Sequence, residues 1–113
     1  MRITFNTLRA RTSLATSSVS VSGDVLTVDG EDFDLSSVPE GGRAVPQGRA
    51  HPFVGPITRV DGEIVCTIDF FLGPEVATRQ SIDPAHWTMQ GSGGPANPAL
   101  VMKPVPVEEI EEI

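Results

Sequence analysis

Two turn dipeptides, each set between alternating apolar and polar residues, constrain this chain more than any other feature. Gly23-Asp24 and Asp29-Gly30 divide residues 18–35 into three short segments in which apolar and polar side chains alternate. Two-residue loops that contain Gly favour the type I′ and II′ turns that connect antiparallel strands. The sequence therefore predicts a three-stranded antiparallel meander over residues 18–35.

The register of this meander is tested by how it sorts the side chains, because a shift of one residue moves a strand's whole apolar set to the other face. With Gly23-Asp24 as the first loop, Val21 lies opposite Leu26. With Asp29-Gly30 as the second, Leu26 lies opposite Phe33. One face then carries six apolar side chains: Val19, Val21, Leu26, Val28, Phe33 and Leu35. The opposite face carries Ser20, Ser22, Thr27, Asp32 and Asp34, with Val25.

A second hairpin is predicted over residues 53–72, around the loop Asp61-Gly62. Its register places Phe53 opposite Phe70. One face again carries apolar side chains: Phe53, Ile57, Ile64, Cys66, Ile68 and Phe70. Because proline has no N–H to donate to a ladder, the first strand is either a sheet edge or bent at Gly55-Pro56.

The two apolar faces predict an all-β fold, in which a small antiparallel meander packs on the second hairpin as a sandwich or half-open barrel. A chain of 113 residues suits one domain, residues 1–113. We expect its core within about residues 18–90. Residues 1–17 are predicted to be a flexible arm, and residues 91–113 a Gly/Pro-rich connector and acidic tail.

Weaker patterns give further local predictions. Ile3 and Phe5 alternate with polar residues, which suits a short strand, and residues 107–113 space their apolar side chains as one face of a short helix would. The remaining segments are predicted as a loop at 36–48, one helical turn at Pro74–Gln80, a short strand at His86–Met89, and a last strand at Leu100–Met102.

Charge and composition exclude several classes of partner. The net charge is −7, and the eight basic residues are scattered along the chain, so no basic surface for nucleic acid is predicted. No apolar run approaches the roughly 18 residues that a membrane span needs. The first residues lack the apolar region of a secretory signal. Cys66 is the single cysteine, which fits synthesis in a reducing cytoplasm.

Three residues could take part in metal binding or catalysis: His51, Asp83 and His86. They are too few for a zinc site, and Asp83-Pro84 is typical of a turn. Cys66 with His51 and an acid could form a nucleophilic set. However, Cys66 falls among the inward apolar residues of its strand, where a cysteine acts as a small hydrophobe with a raised pKa.

Two further patterns resemble ligand-binding loops in composition alone. The acidic group Asp29, Glu31, Asp32 and Asp34 lacks the order of a calcium loop, because its glycine follows the first aspartate. The turn accounts for Asp29, and charge at Asp32 and Asp34 protects a small sheet from edge pairing. The run 91–94 lacks the lysine of a phosphate-binding loop and is interpreted as a linker. No catalytic, cofactor-binding or metal-binding residue is therefore assigned.

The hairpin segments do resemble a known group of proteins. Residues 23–35, Pro39-Glu40-Gly41 and residues 55–63 read GDVLTVDGEDFDL, PEG and GPITRVDGE. They are similar to small proteins from the tail region of tailed bacteriophages and prophages, in which an LTVNGExFDFS hairpin precedes an LPEG turn and a GPIxRxDGE hairpin. The resemblance covers about residues 18–72. The Arg/Ser-rich beginning of the chain and its Gly/Pro-rich, Glu-terminated end depart from that pattern.

The resemblance implies a structural or accessory protein of the tail module that has no cofactor and is not an enzyme. It would act through contacts with other tail or virion proteins, or with itself as a homo-oligomer, and would be found in the virion. One alternative is a small acidic binding module or host-directed regulator, whose acidic residues 24–40 meet a basic surface. The other is a small enzyme, which would require His51, Asp83 and His86 to converge.

Overall fold

The computed structural model describes residues 1–9, 15–48, 51–77 and 80–102. Within these residues it contains nine β-strands, one 3₁₀ helix at Pro84–Trp87 and no α-helix. The strands in chain order are β1 (Arg2–Arg9), β2 (Val19–Ser22), β3 (Val25–Val28), β4 (Glu31–Asp34), β5 (Arg43–Ala44), β6 (Ile57–Val60), β7 (Glu63–Leu72), β8 (Thr88–Gln90) and β9 (Gly94–Pro95). The predicted all-β class is confirmed.

The strands form two sheets that share one apolar core. The first has the order β5-β6-β7-β1-β8, and the second has the order β4-β3-β2-β9. In the described residues the sheets pack face to face and do not close into a barrel. The core comprises Ile3, Phe5, Val19, Val21, Leu26, Val28, Leu35, Val38, Phe53, Ile57, Ile64, Cys66, Ile68, Phe70, Leu72, Val76 and Ala96.

The meander has the predicted register. Val21 pairs with Leu26, and Leu26 pairs with Phe33. Asp29 and Gly30 have φ angles of 52° and 83°, as both central residues of a type I′ turn require. Five of the six apolar side chains on the predicted inner face are buried, and that of Phe33 is half-buried. The local alternation and the turn residues together were sufficient to place these three strands.

The second hairpin has the predicted register near its loop and a different register at Phe53. Phe53 pairs with Ile68 through an isolated bridge, and not with the predicted Phe70. The first strand leaves the ladder at Gly55, whose φ of 76° few other residues adopt. The predicted bend at Gly55-Pro56 is therefore present. Because the register shifts by an even number of residues, Phe53 stays on the buried face.

The prediction of a flexible arm over residues 1–17 is wrong for residues 2–9, and the short strand indicated by Ile3 and Phe5 is present. These residues form β1, which lies between β7 and β8 in the five-stranded sheet. Ile3 is 0 % exposed and Phe5 is 4 % exposed. The pairing of β1 with β7 is parallel, so the partner lies far along the chain and no local turn signal indicates it. Residues 10–14 lie outside the described residues.

The predicted connector over residues 91–98 is also corrected, because it crosses from one sheet to the other. The N–H of Gly91 donates to the carbonyl of Met1 beside the first sheet (2.7 Å), and Gly94–Pro95 pairs with β2 in the second. Ala96 is buried, and the Oδ1 of Asn97 accepts from the N–H of Val19 (2.7 Å). A segment whose composition suggests a linker is thus fixed by hydrogen bonds to both sheets.

Three smaller predictions also need correction. The predicted strand His86–Met89 begins only at Thr88, because Pro84–Trp87 is a 3₁₀ helix capped by the Asp83 carboxylate. Within Pro74–Gln80, the described residues form a turn and a bridge from Val76 to Met102, not a helical turn. The loop at 36–48 contains the short strand β5. The predicted acidic tail from residue 103 onward lies outside the described residues.

Candidate functional site

Strand β4 forms one edge of the four-stranded sheet, and among the described residues no strand pairs with its outer side. In an antiparallel ladder, alternate residues direct their N–H and C=O groups toward the neighbouring strand. The N–H of Leu35 donates to the carbonyl of Asp24 (2.8 Å), which sets this alternation for the β3–β4 pair. Asp32 and Asp34 consequently direct their backbone N–H and C=O groups outward.

A groove runs along this strand edge. Two neighbouring hollows of about 400 and 230 Å³, which share Phe33 and His51 as lining residues, make up this groove. We call it the edge groove; it is lined by Phe33 of β4, by residues 44–47 and by residues 51–53. The rings of Phe33 and Phe53 meet edge to face, with centroids 5.2 Å apart. The edge groove therefore has an aromatic floor beside unpaired backbone groups.

The acidic side chains of β4 lie on the outer, solvent-exposed side of the same strand. The hydroxyl of Thr27 donates to Oδ1 of Asp32 (2.6 Å), and the N–H of Ser36 donates to Oδ1 of Asp34 (3.0 Å). Hydrogen bonds from the side chain and the N–H of Ser36 lower the pKa of Asp34. Both carboxylates are exposed and flank the outward backbone groups, so the edge carries a negative charge at neutral pH.

A second feature joins three turns at one end of the molecule. Arg59 donates from Nε to the carbonyl of Val38 (2.8 Å), from Nη1 to the carbonyl of Gly62 (3.2 Å) and from Nη2 to Oδ2 of Asp24 (3.0 Å). The carboxylate of Glu40 accepts from the N–H groups of Gly41 and Gly62. We call this arrangement the three-turn cluster. It includes residues 23–24, 38–42 and 59–62, which sequence reasoning treated as separate turns.

Cys66 lies where the sequence predicts. It is 2 % exposed in the core of β7, between the two sheets. Burial raises the pKa of its thiol to about 11, and the charged amino terminus opposes this shift to a smaller extent. A thiol with this pKa is almost entirely protonated near neutral pH and is a poor nucleophile.

Asp83 and His86 belong to the same 3₁₀ helix, whereas His51 lies in the edge groove. His51 lines the edge groove, and its Nδ1 accepts from the N–H of Phe53 (3.1 Å). Asp83 caps the 3₁₀ helix by accepting from the N–H of Ala85 (3.0 Å). A ring nitrogen of His86 lies 2.6 Å from the carbonyl oxygen of Ala99. Each of the three side chains thus has a local structural contact.

The remaining candidate groups have structural roles as well. Asp29 accepts from the N–H of Ser18 (2.9 Å), which ties its turn to the strand before it. Gly91 faces Val21, and a Cβ there would lie 2.7 Å from a Val21 methyl group. In the part of the chain that the structure describes, no three His, Cys, Asp or Glu side chains are grouped as a metal ion would require.

The sequence predicts only one wall of the edge groove. The predicted sorting placed Asp32 and Asp34 outward and Phe33 inward, as observed. It gave no indication that residues 44–47 and 51–53 would form the opposite wall, because a loop carries no periodic pattern that predicts its position.

No family model, curated protein or solved structure gives a significant match to this chain. Among the described residues, no helix has both the length and the apolar character needed to cross a membrane.

Proposed function

We propose that this chain is a non-enzymatic structural or accessory protein of a bacteriophage or prophage tail module, acting through contacts with other proteins. The observation that supports the proposal is the three-turn cluster. The three segments that resemble tail-region proteins are separate in the sequence, and Arg59 and Glu40 bring their turns together in space. A shared set of turns would then reflect a shared fold, not three independent turn sequences.

The edge groove supports action by protein contact. An unpaired strand edge beside an aromatic depression offers backbone hydrogen bonds and apolar surface to the same partner. Leu8 and Phe71 form a further exposed apolar pair, side by side on β1 and β7 and 37 % and 39 % exposed, and Phe71 also lines one hollow of the edge groove.

The test is deletion of the gene in the bacterial strain or phage that encodes it. Particles are then induced, purified and examined by electron microscopy and mass spectrometry. We expect tails to be missing, short or misassembled, and a plasmid copy of the gene to restore them. A deletion that leaves particle number, tail shape and infectivity unchanged, with the protein missing from wild-type particles, would contradict the proposal.

A second candidate is a small acidic binding module that regulates a host protein. The observation in its favour is that Asp32 and Asp34 are exposed on an unpaired edge, where they can meet a basic surface. A pull-down from host lysate tests it, with capture expected at low salt and lost at high salt because exposed charge pairs are screened. Capture that requires phage infection of the host would favour the tail protein instead.

A further inference from the structure

We propose that β4 binds an extended segment of a partner protein as an added strand, and that this segment alternates basic and apolar residues. The inference rests on the proposed function, because it assigns the surface and the chemistry by which this chain would contact another tail protein. Three properties of the edge groove lead to it.

The first property is backbone geometry. Asp32 and Asp34 direct N–H and C=O groups away from β3, at positions two residues apart. An extended chain that pairs with them satisfies these groups by main-chain hydrogen bonds, which is the mode called β-augmentation. Such pairing fixes which side of the added strand each side chain faces, because successive side chains alternate.

The second property is the chemistry on each side of that added strand. Residues directly opposite Asp32 and Asp34 would share the outer face with their carboxylates, where opposite charges stabilise a cross-strand pair. The residue between them would point inward, over the aromatic floor formed by Phe33 and Phe53. The edge therefore selects a basic residue, an apolar residue and a second basic residue in succession.

The third property is that this edge disfavours a second copy of itself. If two β4 strands paired edge to edge about a two-fold axis, the carboxylates of Asp32 and Asp34 would meet those of the other copy. Like charges opposite each other destabilise a strand pair. The negative charge of this edge thus disfavours pairing with a second copy and favours pairing with a cationic strand.

The test uses the full-length protein and a synthetic peptide, acetyl-Thr-Lys-Val-Lys-Val-Lys-Thr-amide. A control peptide has the same composition in blocks, Thr-Lys-Lys-Lys-Val-Val-Thr. Binding is followed by NMR chemical-shift changes in the ¹⁵N-labelled protein. We expect the alternating peptide to shift the amides of residues 31–35 and of the non-proline residues in 44–47 and 51–53. We expect the block peptide to bind less tightly, because it cannot place lysines outward and valines inward at once.

Two variants separate the edge from charge in general. Asp32→Asn with Asp34→Asn keeps the side-chain hydrogen-bond acceptors and removes two charges, and we expect it to weaken binding about tenfold. Asp61→Asn with Asp83→Asn removes the same charge elsewhere and should leave the affinity within about twofold. A peptide N-methylated at the backbone nitrogens that pair with β4 should not bind, because it lacks the ladder donors.

The inference is overturned if the alternating peptide does not bind at millimolar concentration, if both peptides bind alike, or if the shifts lie on another face. Phage carrying the Asp32→Asn and Asp34→Asn substitutions then distinguish the two proposals. If deletion of the gene abolishes tails while these phage assemble normally, the edge inference fails and the proposed function stands. If deletion has no effect, the proposed function fails, and the peptide results alone decide the edge.

Discussion

The Nη2 of Arg59 lies 3.0 Å from Oδ2 of Asp24, and this ion pair connects the turn of one sheet to a strand of the other. The Arg59 side chain is 15 % exposed, whereas that of Asp24 is 41 % exposed. The same guanidinium also donates to the carbonyls of Val38 and Gly62. The largely buried guanidinium of Arg59 therefore connects the ends of both sheets.

Replacing Arg59 should destabilise the protein far more than replacing an exposed arginine. Arg59→Met leaves the carbonyl of Val38 without its donor, and we expect the free energy of unfolding to fall by about 2–3 kcal/mol. The matched control is Arg2→Met, which breaks the pair with Glu63 at a side chain that is 57 % exposed and should cost less than about 0.5 kcal/mol. Urea denaturation followed by circular dichroism measures both. Equal losses would contradict the role given to Arg59.

The two Asp-Gly turns allow the contribution of the Asp29 carboxylate to stability to be separated from that of its backbone conformation. Asp29 and Asp61 have nearly the same φ, 52° and 51°. Asp61→Ala should cost about 1 kcal/mol, because alanine is strained there. Asp29→Ala should cost about 1 kcal/mol more, because it also leaves the N–H of Ser18 without its acceptor. Thermal unfolding of the two variants checks the difference, and its absence would show that this hydrogen bond adds nothing.

Gly91 should not tolerate a side chain, although it lies in a segment whose composition suggests a flexible linker. A Cβ at Gly91 would approach a methyl group of Val21 to 2.7 Å, in a core that is already filled. Gly91→Ala should therefore lower the free energy of unfolding by about 1–3 kcal/mol. The neighbouring Ser92 is exposed, and Ser92→Ala should have no measurable effect. If both variants unfold at the same denaturant concentration, this segment is not packed as described.

Alkaline pH should unfold the protein through Cys66. Burial raises the pKa of the folded thiol from 9.0 to about 11, so the unfolded state loses its proton first as the pH rises. The stabilisation from keeping the thiol neutral is complete below about pH 9, and about 3 kcal/mol is lost as the pH passes through 11. The chain has no tyrosine and a single lysine, Lys103, so few other groups titrate in this range.

The matched control for this pH dependence is Cys66→Ala. We expect it to be less stable near neutral pH, because a buried side chain is shortened, but to lose little further stability between pH 9 and 11. Denaturation midpoints at a series of pH values measure both proteins. Parallel pH profiles would show that a group other than Cys66 controls alkaline unfolding.

The sequence predicts the parts of the fold that depend on neighbouring residues. At Asp29-Gly30 the turn type, the loop length and the alternation on both sides all agree, so the register of β3 and β4 follows. The inward position of Cys66 follows in the same way. Each of these features depends on residues within one hairpin.

The parts that could not be predicted depend on residues distant in the chain. The alternation of Ile3 and Phe5 indicated a short strand, but the place of β1 in the sheet was missed because its parallel partner, β7, is not connected to it by a turn. Gly94–Pro95 was missed because glycine and proline indicate a linker unless another strand lies alongside. Part of the edge groove was predicted, because the faces on which Asp32 and Phe33 lie follow from the alternation along β4. Its opposite wall was not predicted, because that wall depends on the position of a loop.

The parallel pairing of Arg2 with Val65 has a consequence for how the protein is made. β1 is synthesised before β7, which is complete only after Leu72 has been added. At a synthesis rate of about 5–20 residues per second, β1 remains without its partner strand for roughly 3–12 s. During that interval the meander of β2, β3 and β4 can already form, since its turns are local. β1 is therefore vulnerable to aggregation during synthesis, and a chaperone that binds nascent chains would act on it.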